Sequence, residues 1–199
     1  MKIAVIPSLL LLLFNSANAH ALDEKQLGRM ILPGKITVTN PYLDTCNTKS
    51  ECGKFYGLYH PGIDFRARTP LIVVAPVAGT IVYTEKRGIE IEPQKDKTGT
   101  IVIKVSGKEN AFFMFGHMSK SFVNVGDKVQ VGCKIGLTGK KATIYPHLHV
   151  EYREEQNARP RLTPASKTIA GIETRGNSSP TNAVVKFVSY AEPTECQNN

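Results

Sequence analysis

The chain has 199 residues, of which 41% are hydrophobic and 21% are charged, and its formal net charge at pH 7 is +8. This is the composition of an ordinary globular protein, long enough for one well-packed domain with further residues at its ends. The lysines and arginines are scattered and form no recognition motif with aromatic residues, which argues against a nucleic-acid-binding protein. We interpret most of the charge as a solvated surface.

The N-terminus has the features of a secretory signal peptide over residues 1–19. A lysine supplies a positive charge, residues 3–14 are almost continuously apolar, and Ala17-Asn-Ala19 is a small-x-small cleavage pattern. The apolar run is shorter than the roughly 20 residues that a membrane-spanning helix needs. We therefore predict cleavage before His20, with cleavage after Ala21 as the alternative, and no stable membrane insertion of the mature chain.

After the signal peptide we divide the chain into three parts. Residues 20–35 form an N-terminal segment with a short helix expected over 22–30, and residues 36–164 form a β-dominated domain. The runs in this domain are short, rich in Val and Ile, and bounded by turns with Gly, Pro, Asn or Asp. Residues 165–199 are rich in Ser, Thr, Asn and Gly, so we predict an extended tail.

Three further segments lie outside the main β-rich runs. The polar residues 44–56 are expected to form a loop, and the charged residues 87–97 a hairpin loop or a lid. Residues 184–190 in the tail could add an edge strand. Whether the 87–97 loop or the tail covers a groove of the domain is left open.

The four cysteines, Cys46, Cys52, Cys133 and Cys196, form no Cys-x-x-Cys pair, which argues against a closed zinc-thiolate site. In an oxidising compartment an even number of cysteines predicts disulfides. Three pairings are possible in principle. We favour Cys46–Cys52 as a short staple within one loop and Cys133–Cys196 as a bond that ties the tail to the domain. With export, these disulfides favour a periplasmic location, and an extracellular one is the alternative.

Four of the five histidines lie inside the β-dominated region, at positions 60, 117, 147 and 149. In the stretch Pro146-His-Leu-His-Val-Glu-Tyr152, strand alternation puts His147, His149 and Glu151 on one face and the apolar residues on the other. His60 and Asp64 enclose a Pro-Gly pair, so they lie across a turn or bulge at a strand start rather than on a helix. His117 ends an aromatic strand.

These residue types are those of a catalytic zinc site. Such a site uses three protein ligands and leaves one position for water. His60, Asp64 and one histidine of the His-x-His pair supply the three ligands, and spacing alone does not decide between His147 and His149. A free imidazole has a pKa of about 6.5, which makes histidine a suitable residue type to take and return a proton, and the other histidine and His117 are the candidates for that role.

Three segments of the chain resemble the signatures of the lysostaphin-type (LytM-like) zinc metallopeptidases. These are His60-Pro-Gly-Ile-Asp64, Phe115-Gly-His117-Met and Pro146-His-Leu-His149-Val-Glu. Residues 69–88 and 123–140 resemble two further strand segments of that family, and the likeness extends over roughly residues 36–153. The motifs are specific in combination.

The resemblance implies an all-β fold, a two-sheet antiparallel β-sandwich-like arrangement of the LytM (duplicated hybrid motif) kind. A groove over the larger sheet, a short N-terminal helix and an extended C-terminal tail complete the expectation. It also implies one zinc ion per chain, held by His60, Asp64 and His149, with His117 and His147 as the catalytic pair. The implied function is an exported endopeptidase, expected as a monomer, that hydrolyses peptide bonds of peptidoglycan.

Two other functions compete with this hypothesis. One is a non-catalytic wall-binding module that activates another hydrolase. The presence of all five ligand and catalytic positions argues against it. The other is a zinc peptidase that acts on glycine-rich proteins. The basic charge of the chain fits anionic envelope material as a partner, and we expect no nucleic-acid partner.

Overall fold

The computed structural model describes residues 23–45, 60–68, 70–84, 99–154, 168–169, 172–173, 177–178 and 196. The predicted signal peptide, the predicted Cys46–Cys52 bond, the 87–97 loop and most of the predicted tail, with its edge strand at 184–190, lie outside these residues. Within the described ranges, no helix has the length and apolar character needed to cross a membrane.

A short capped helix, α1 (Glu24–Ile31), precedes the strands. Asp23 accepts the Gln26 backbone N–H at 2.6 Å, and the Gln26 side chain accepts the Asp23 N–H at 2.7 Å, which is a capping box. The buried side of the helix includes Gly28, where a Cβ would lie 2.8 Å from Phe65. The helix therefore packs closely on the domain, near the position predicted from the sequence.

The strands form two main antiparallel sheets, which confirms the predicted fold class. The large sheet contains β1 (Val38–Asn40), β2 (Ile63–Arg66), β4 (Gly79–Thr84), β5 (Ile101–Val105), β6 (Ala111–Gly116), β8 (Lys128–Val129), β10 (His147–Glu154) and β13 (Asn177–Ser178). Its order is β1-β2-β10-β6-β5-β4-β8, and β13 also pairs with β10. The small sheet has the order β3-β9-β7, with bounds Ile72–Val74, Lys134–Thr138 and Met118–Ser121. A separate ribbon pairs β11 (Thr168–Ile169) with β12 (Ile172–Glu173).

Strand β10 is covered on both faces. Its apolar residues Leu148, Val150 and Tyr152 belong to the main hydrophobic core, as the alternation predicts. The opposite face is not a wet surface, because Glu151 and Arg153 are buried there beside His149. The polar side of this strand therefore forms a second interior, and its charged groups need partners.

A disulfide links Cys133 to Cys196, with Cα atoms 5.0 Å apart, which confirms this predicted pair. Cys133 precedes β9 and is part of the core, so the bond holds residue 196 against the body of the domain. The pairing of Cys46 with Cys52 stays a prediction.

Candidate metal centre

Strand pairing brings the predicted site residues together from distant parts of the sequence. In the register of β2 and β10, His149 lies opposite Asp64, and in the register of β10 and β6 it lies opposite Gly116. Because β6 ends at Gly116, the next residue, His117, lies close to His149. A Cβ at Gly62 would collide with the Val150 carbonyl, so glycine lets the turn after His60 approach β10.

His60, Asp64 and His149 form a buried cluster that could hold a metal ion. His60 Nε2 lies 3.2 Å from His149 Nδ1 and 3.3 Å from Asp64 Oδ1, and His149 Nδ1 lies 2.7 Å from Asp64 Oδ1. In a zinc tetrahedron with bonds of about 2.0–2.1 Å, ligand atoms are about 3.3 Å apart. Two of the three separations already match that edge. The third is a hydrogen bond that metal binding would replace.

The outer nitrogens of the two cluster histidines are fixed by hydrogen bonds. His60 Nδ1 donates to the Pro41 carbonyl at 3.1 Å, and His149 Nε2 donates to Glu151 Oε1 at 2.8 Å. Each bond turns the remaining nitrogen towards Asp64. Tying the far nitrogen of a ligating histidine in this way sets its tautomer and ring orientation. The donor set of two imidazoles and one carboxylate is one that zinc accepts.

His117 and His147 flank the cluster with their ring centroids 4.4 Å apart. His117 has a φ of 63°, a left-handed conformation at the point where the chain leaves β6 for β7 and changes sheets. Its Nδ1 donates to the Lys141 carbonyl at 2.6 Å, and His147 Nδ1 donates to the Tyr145 carbonyl at 2.9 Å. In both rings, therefore, Nδ1 is the nitrogen bonded to a backbone carbonyl. His147 Nε2 is 3.6 Å from Asp64 Oδ1.

Residues 58–160, just over half of the chain, match Peptidase family M23. The chain belongs to this family. The match confirms the resemblance found in the three motifs. The similarity therefore extends over a whole domain and does not depend on the spacing of the motif residues alone.

Individual relatives are more distant. An uncharacterized metalloprotease of Haemophilus influenzae is 34% identical over 94 residues, which are 47% of this chain and 18% of that protein. This chain therefore spans less than a fifth of that relative's length. The catalytic domain of a mutant of the prophage-encoded M23 protein EnpA from Enterococcus faecalis is 26% identical, with 61% of this chain and 82% of that chain covered and a TM-score of 0.47. The antimicrobial peptidase lysostaphin from Staphylococcus simulans is 23% identical, with 61% of this chain and 45% of that chain covered and a TM-score of 0.49.

The electrostatics of this M23 centre follow from burial and close pairing. Burial alone would raise the pKa of Asp64, but hydrogen bonds with His149 and His60 hold it well below its usual value. Burial would likewise lower the pKa of His149, yet its bonds to Asp64 and Glu151 raise that pKa to about 9. Without a metal, His149 is therefore protonated at neutral pH, and it donates to the carboxylates of Asp64 and Glu151.

His117 has the opposite shift. Burial, with the charges of His147 and His149, lowers the pKa of His117 to about 4. In the metal-free protein this ring is therefore neutral at pH 7, with its Nδ1–H donating to the Lys141 carbonyl.

Three residues that support the centre were not assigned a role from the sequence. Asn40 Nδ2 donates to Asp64 Oδ2 at 2.7 Å, and Arg153 pairs with Glu151 on the polar face of β10. Burial alone would raise the pKa of Glu151, but the charge of Arg153 and the bond from His149 lower it to about 2. Strand alternation places Glu151 beside His149 and could have identified it. Nothing in the sequence indicates that Asn40 reaches Asp64, because 24 residues separate them.

Proposed function

We propose that the protein is an exported zinc-dependent endopeptidase that hydrolyses peptide bonds in the stem or cross-link peptides of peptidoglycan. The observation that carries the proposal is the buried His60, Asp64 and His149 cluster with two further imidazoles against it. Membership of a peptidase family supports the reaction class. The predicted signal peptide and the basic charge support export and an anionic wall polymer as substrate.

The proposed ligands are His60 through Nε2, Asp64 through Oδ1 and His149 through Nδ1. A zinc ion held there would supply a Lewis acid for a peptide carbonyl and lower the pKa of a water molecule to about 7. His117 and His147 are the proposed catalytic pair. Their Nδ1 protons are engaged by backbone carbonyls, so Nε2 of each ring can accept a proton from water or return one to the departing amine. In its protonated form either ring can also donate to the carbonyl oxygen as negative charge develops there.

The alternative of a non-catalytic activator is disfavoured by the same residues. A binding module has no need for His117 and His147 once the ligands are in place, yet both are held with one nitrogen bonded to the backbone. The orientation of two further imidazoles in a part-buried site points to a role in chemistry.

The test uses mature, zinc-loaded protein and purified peptidoglycan, with released fragments identified by mass spectrometry. We expect about one zinc per chain and soluble peptide fragments. His149→Ala is expected to lose both metal and activity, and His117→Ala to keep the metal and lose activity. Unchanged hydrolysis by either variant contradicts the proposal. A glycine-rich polypeptide tested in parallel separates a wall substrate from a protein substrate.

A further inference from the structure

A pocket of about 300 Å³ lies beside His117, where the end of β4, the start of β5 and β7 meet. Two of its lining residues are next to or bonded to His117, which flanks the metal centre. Met118, on its wall, follows His117 in the chain, and the Lys141 carbonyl accepts the His117 Nδ1 hydrogen bond. Among the described residues, the polar part of its lining consists of four hydroxyl groups and two amines, from Thr84, Thr100, Ser119, Ser121, Lys120 and Lys141.

Thr84 is the unusual member of this lining. It is fully buried, and its Oγ1 is the one buried side-chain oxygen or nitrogen in the described part of the chain that has no hydrogen-bond partner. By contrast, the Ser119 hydroxyl donates to the Thr138 carbonyl at 2.8 Å, and the Ser121 hydroxyl donates to the Val123 carbonyl at 2.7 Å. A buried hydroxyl without a partner is costly, and native proteins rarely keep one unless a ligand or water uses it.

The charge of the pocket shows which ligand fits. Of the described residues that line it, the two charged ones are lysines and none is acidic. The Lys120 Nζ lies 5.6 Å from the centroid of the Phe122 ring, and the Lys141 side chain passes close over Gly99. A carboxylate would accept from the hydroxyl and be attracted by the amines, and hydrogen bonds to a charged acceptor are stronger than those between neutral groups.

We propose that this pocket is a specificity subsite that binds a carboxylate of the substrate peptide, on a residue close to the bond that is cut. The proposal rests on the proposed peptidase function and deepens it, because it names acidic peptides as the substrate class. Thr84 and Lys120 are the residues that select the carboxylate. They act on substrate binding and not on the metal.

The test compares matched peptides that differ only by Glu or Gln, placed in turn at each of the positions flanking the cleaved bond. With zinc-loaded protein, we expect one position at which Glu raises kcat/KM by about tenfold over Gln. Lys120→Met is expected to bring that ratio close to one. Lys25→Met, an exposed lysine on α1, is the control of equal charge change and should leave the ratio intact. A ratio near one at every position, or a ratio that Lys120→Met does not change, overturns the proposal.

Thr84→Val is a second test variant, which is expected to weaken carboxylate selection while making the folded protein more stable. It keeps the shape of the side chain and removes the unpaired hydroxyl, so we expect a higher Tm for the ligand-free protein together with a smaller Glu-to-Gln ratio. A lower Tm would mean that the hydroxyl already has a partner in the folded chain, and the subsite would lose its main support. Because the expected stability change is a gain, misfolding cannot imitate the result.

Failure of the subsite and failure of the peptidase function are distinguishable. If the zinc-loaded protein cuts neither peptide nor peptidoglycan, the peptidase proposal fails. Binding then tests the pocket on its own, through amide NMR shifts of Thr84 and Lys120 on titration with the Glu peptide. Shifts with the Glu peptide and not with its Gln counterpart support the subsite, and equal or absent shifts overturn it.

Discussion

Glu151 Oε1 accepts the His149 Nε2–H at 2.8 Å, so a fully buried carboxylate sets which nitrogen of His149 turns to Asp64. Arg153 holds the other Glu151 oxygen through its Nε at 2.7 Å. The three residues alternate along one face of β10, and the order from the metal centre inward is imidazole, carboxylate, guanidinium. The strand that supplies a proposed ligand therefore also supplies the groups that orient it.

Glu151→Gln is expected to weaken zinc binding by about 10–100-fold, the usual effect of losing a carboxylate behind a ligating histidine. The amide can present its NH₂ group to His149 and favour the wrong tautomer. The measurement is a zinc titration against a competing chelator. Since the change also removes the carboxylate that Arg153 pairs with, the double variant Glu151→Gln/Arg153→Met separates the two effects. Zinc affinity equal to wild type in both variants would show that Glu151 does not orient the ligand.

Asn40→Ala is expected to weaken zinc binding by about tenfold, because Asp64 Oδ2 loses the donor that fixes the plane of its carboxylate. Thr39→Ala is the matched control on the same strand. The Thr39 hydroxyl donates at 3.2 Å to the backbone carbonyl of Asp64 and not to its side chain. A similar loss in both variants would indicate a general disturbance of β1 rather than a role in orienting the carboxylate.

Much of this centre could be predicted from the sequence because its ligands lie in short motifs with a clear strand pattern. The pattern places His147, His149 and Glu151 on one face, and the structure adds that this face is buried. The register between β2 and β10, which decides that Asp64 faces His149, depends on long-range pairing that local residues do not encode. The choice between His147 and His149 as ligand rested on the family resemblance. The structure places His149 in the cluster and His147 at its edge.

The supporting contacts were harder to predict for a physical reason. Pro41, Lys141 and Tyr145 act through backbone carbonyls, which every residue has, so their side chains give no signal. The burial of Arg153 was equally hidden, because a charged residue near a strand end is usually exposed. Its pairing with the neighbouring Glu151 makes that burial tolerable.

The stability of the metal-free protein is expected to be highest at about pH 6.5. Below that pH the unfolded chain protonates His117 while the folded chain keeps it neutral, because burial lowers its pKa to about 4, so stability falls as the solution becomes more acidic. Glu151 has its pKa lowered from 4.5 to about 2, so its contribution is present above pH 4.5 and is lost as the pH falls towards 2. His149 has its pKa raised from 6.5 to about 9, so its contribution is complete below pH 6.5 and is lost as the pH rises through 9. Each loss is on the order of 3 kcal/mol at most.

Urea unfolding of chelator-treated protein across this range of pH, from acid to mildly alkaline solution, measures this profile. Glu151→Gln should remove the part of the acid-side loss that Glu151 causes, while the parts due to Asp64 and His117 remain. A stability that rises steadily from neutral to alkaline pH would contradict the assignment of a shared proton to His149.

Cys196→Ala is expected to lower the free energy of unfolding by about 2–4 kcal/mol, because the Cys133–Cys196 bond closes a loop of 63 residues in the unfolded chain. The metal centre lies on β2, β10 and the β6–β7 junction, away from this bond in the strand order, so zinc content is expected to be unchanged. Reduction of the wild-type protein should reproduce the loss of stability. If the variant kept the stability of the oxidised protein, the tail would be held by packing alone, and the disulfide would contribute little.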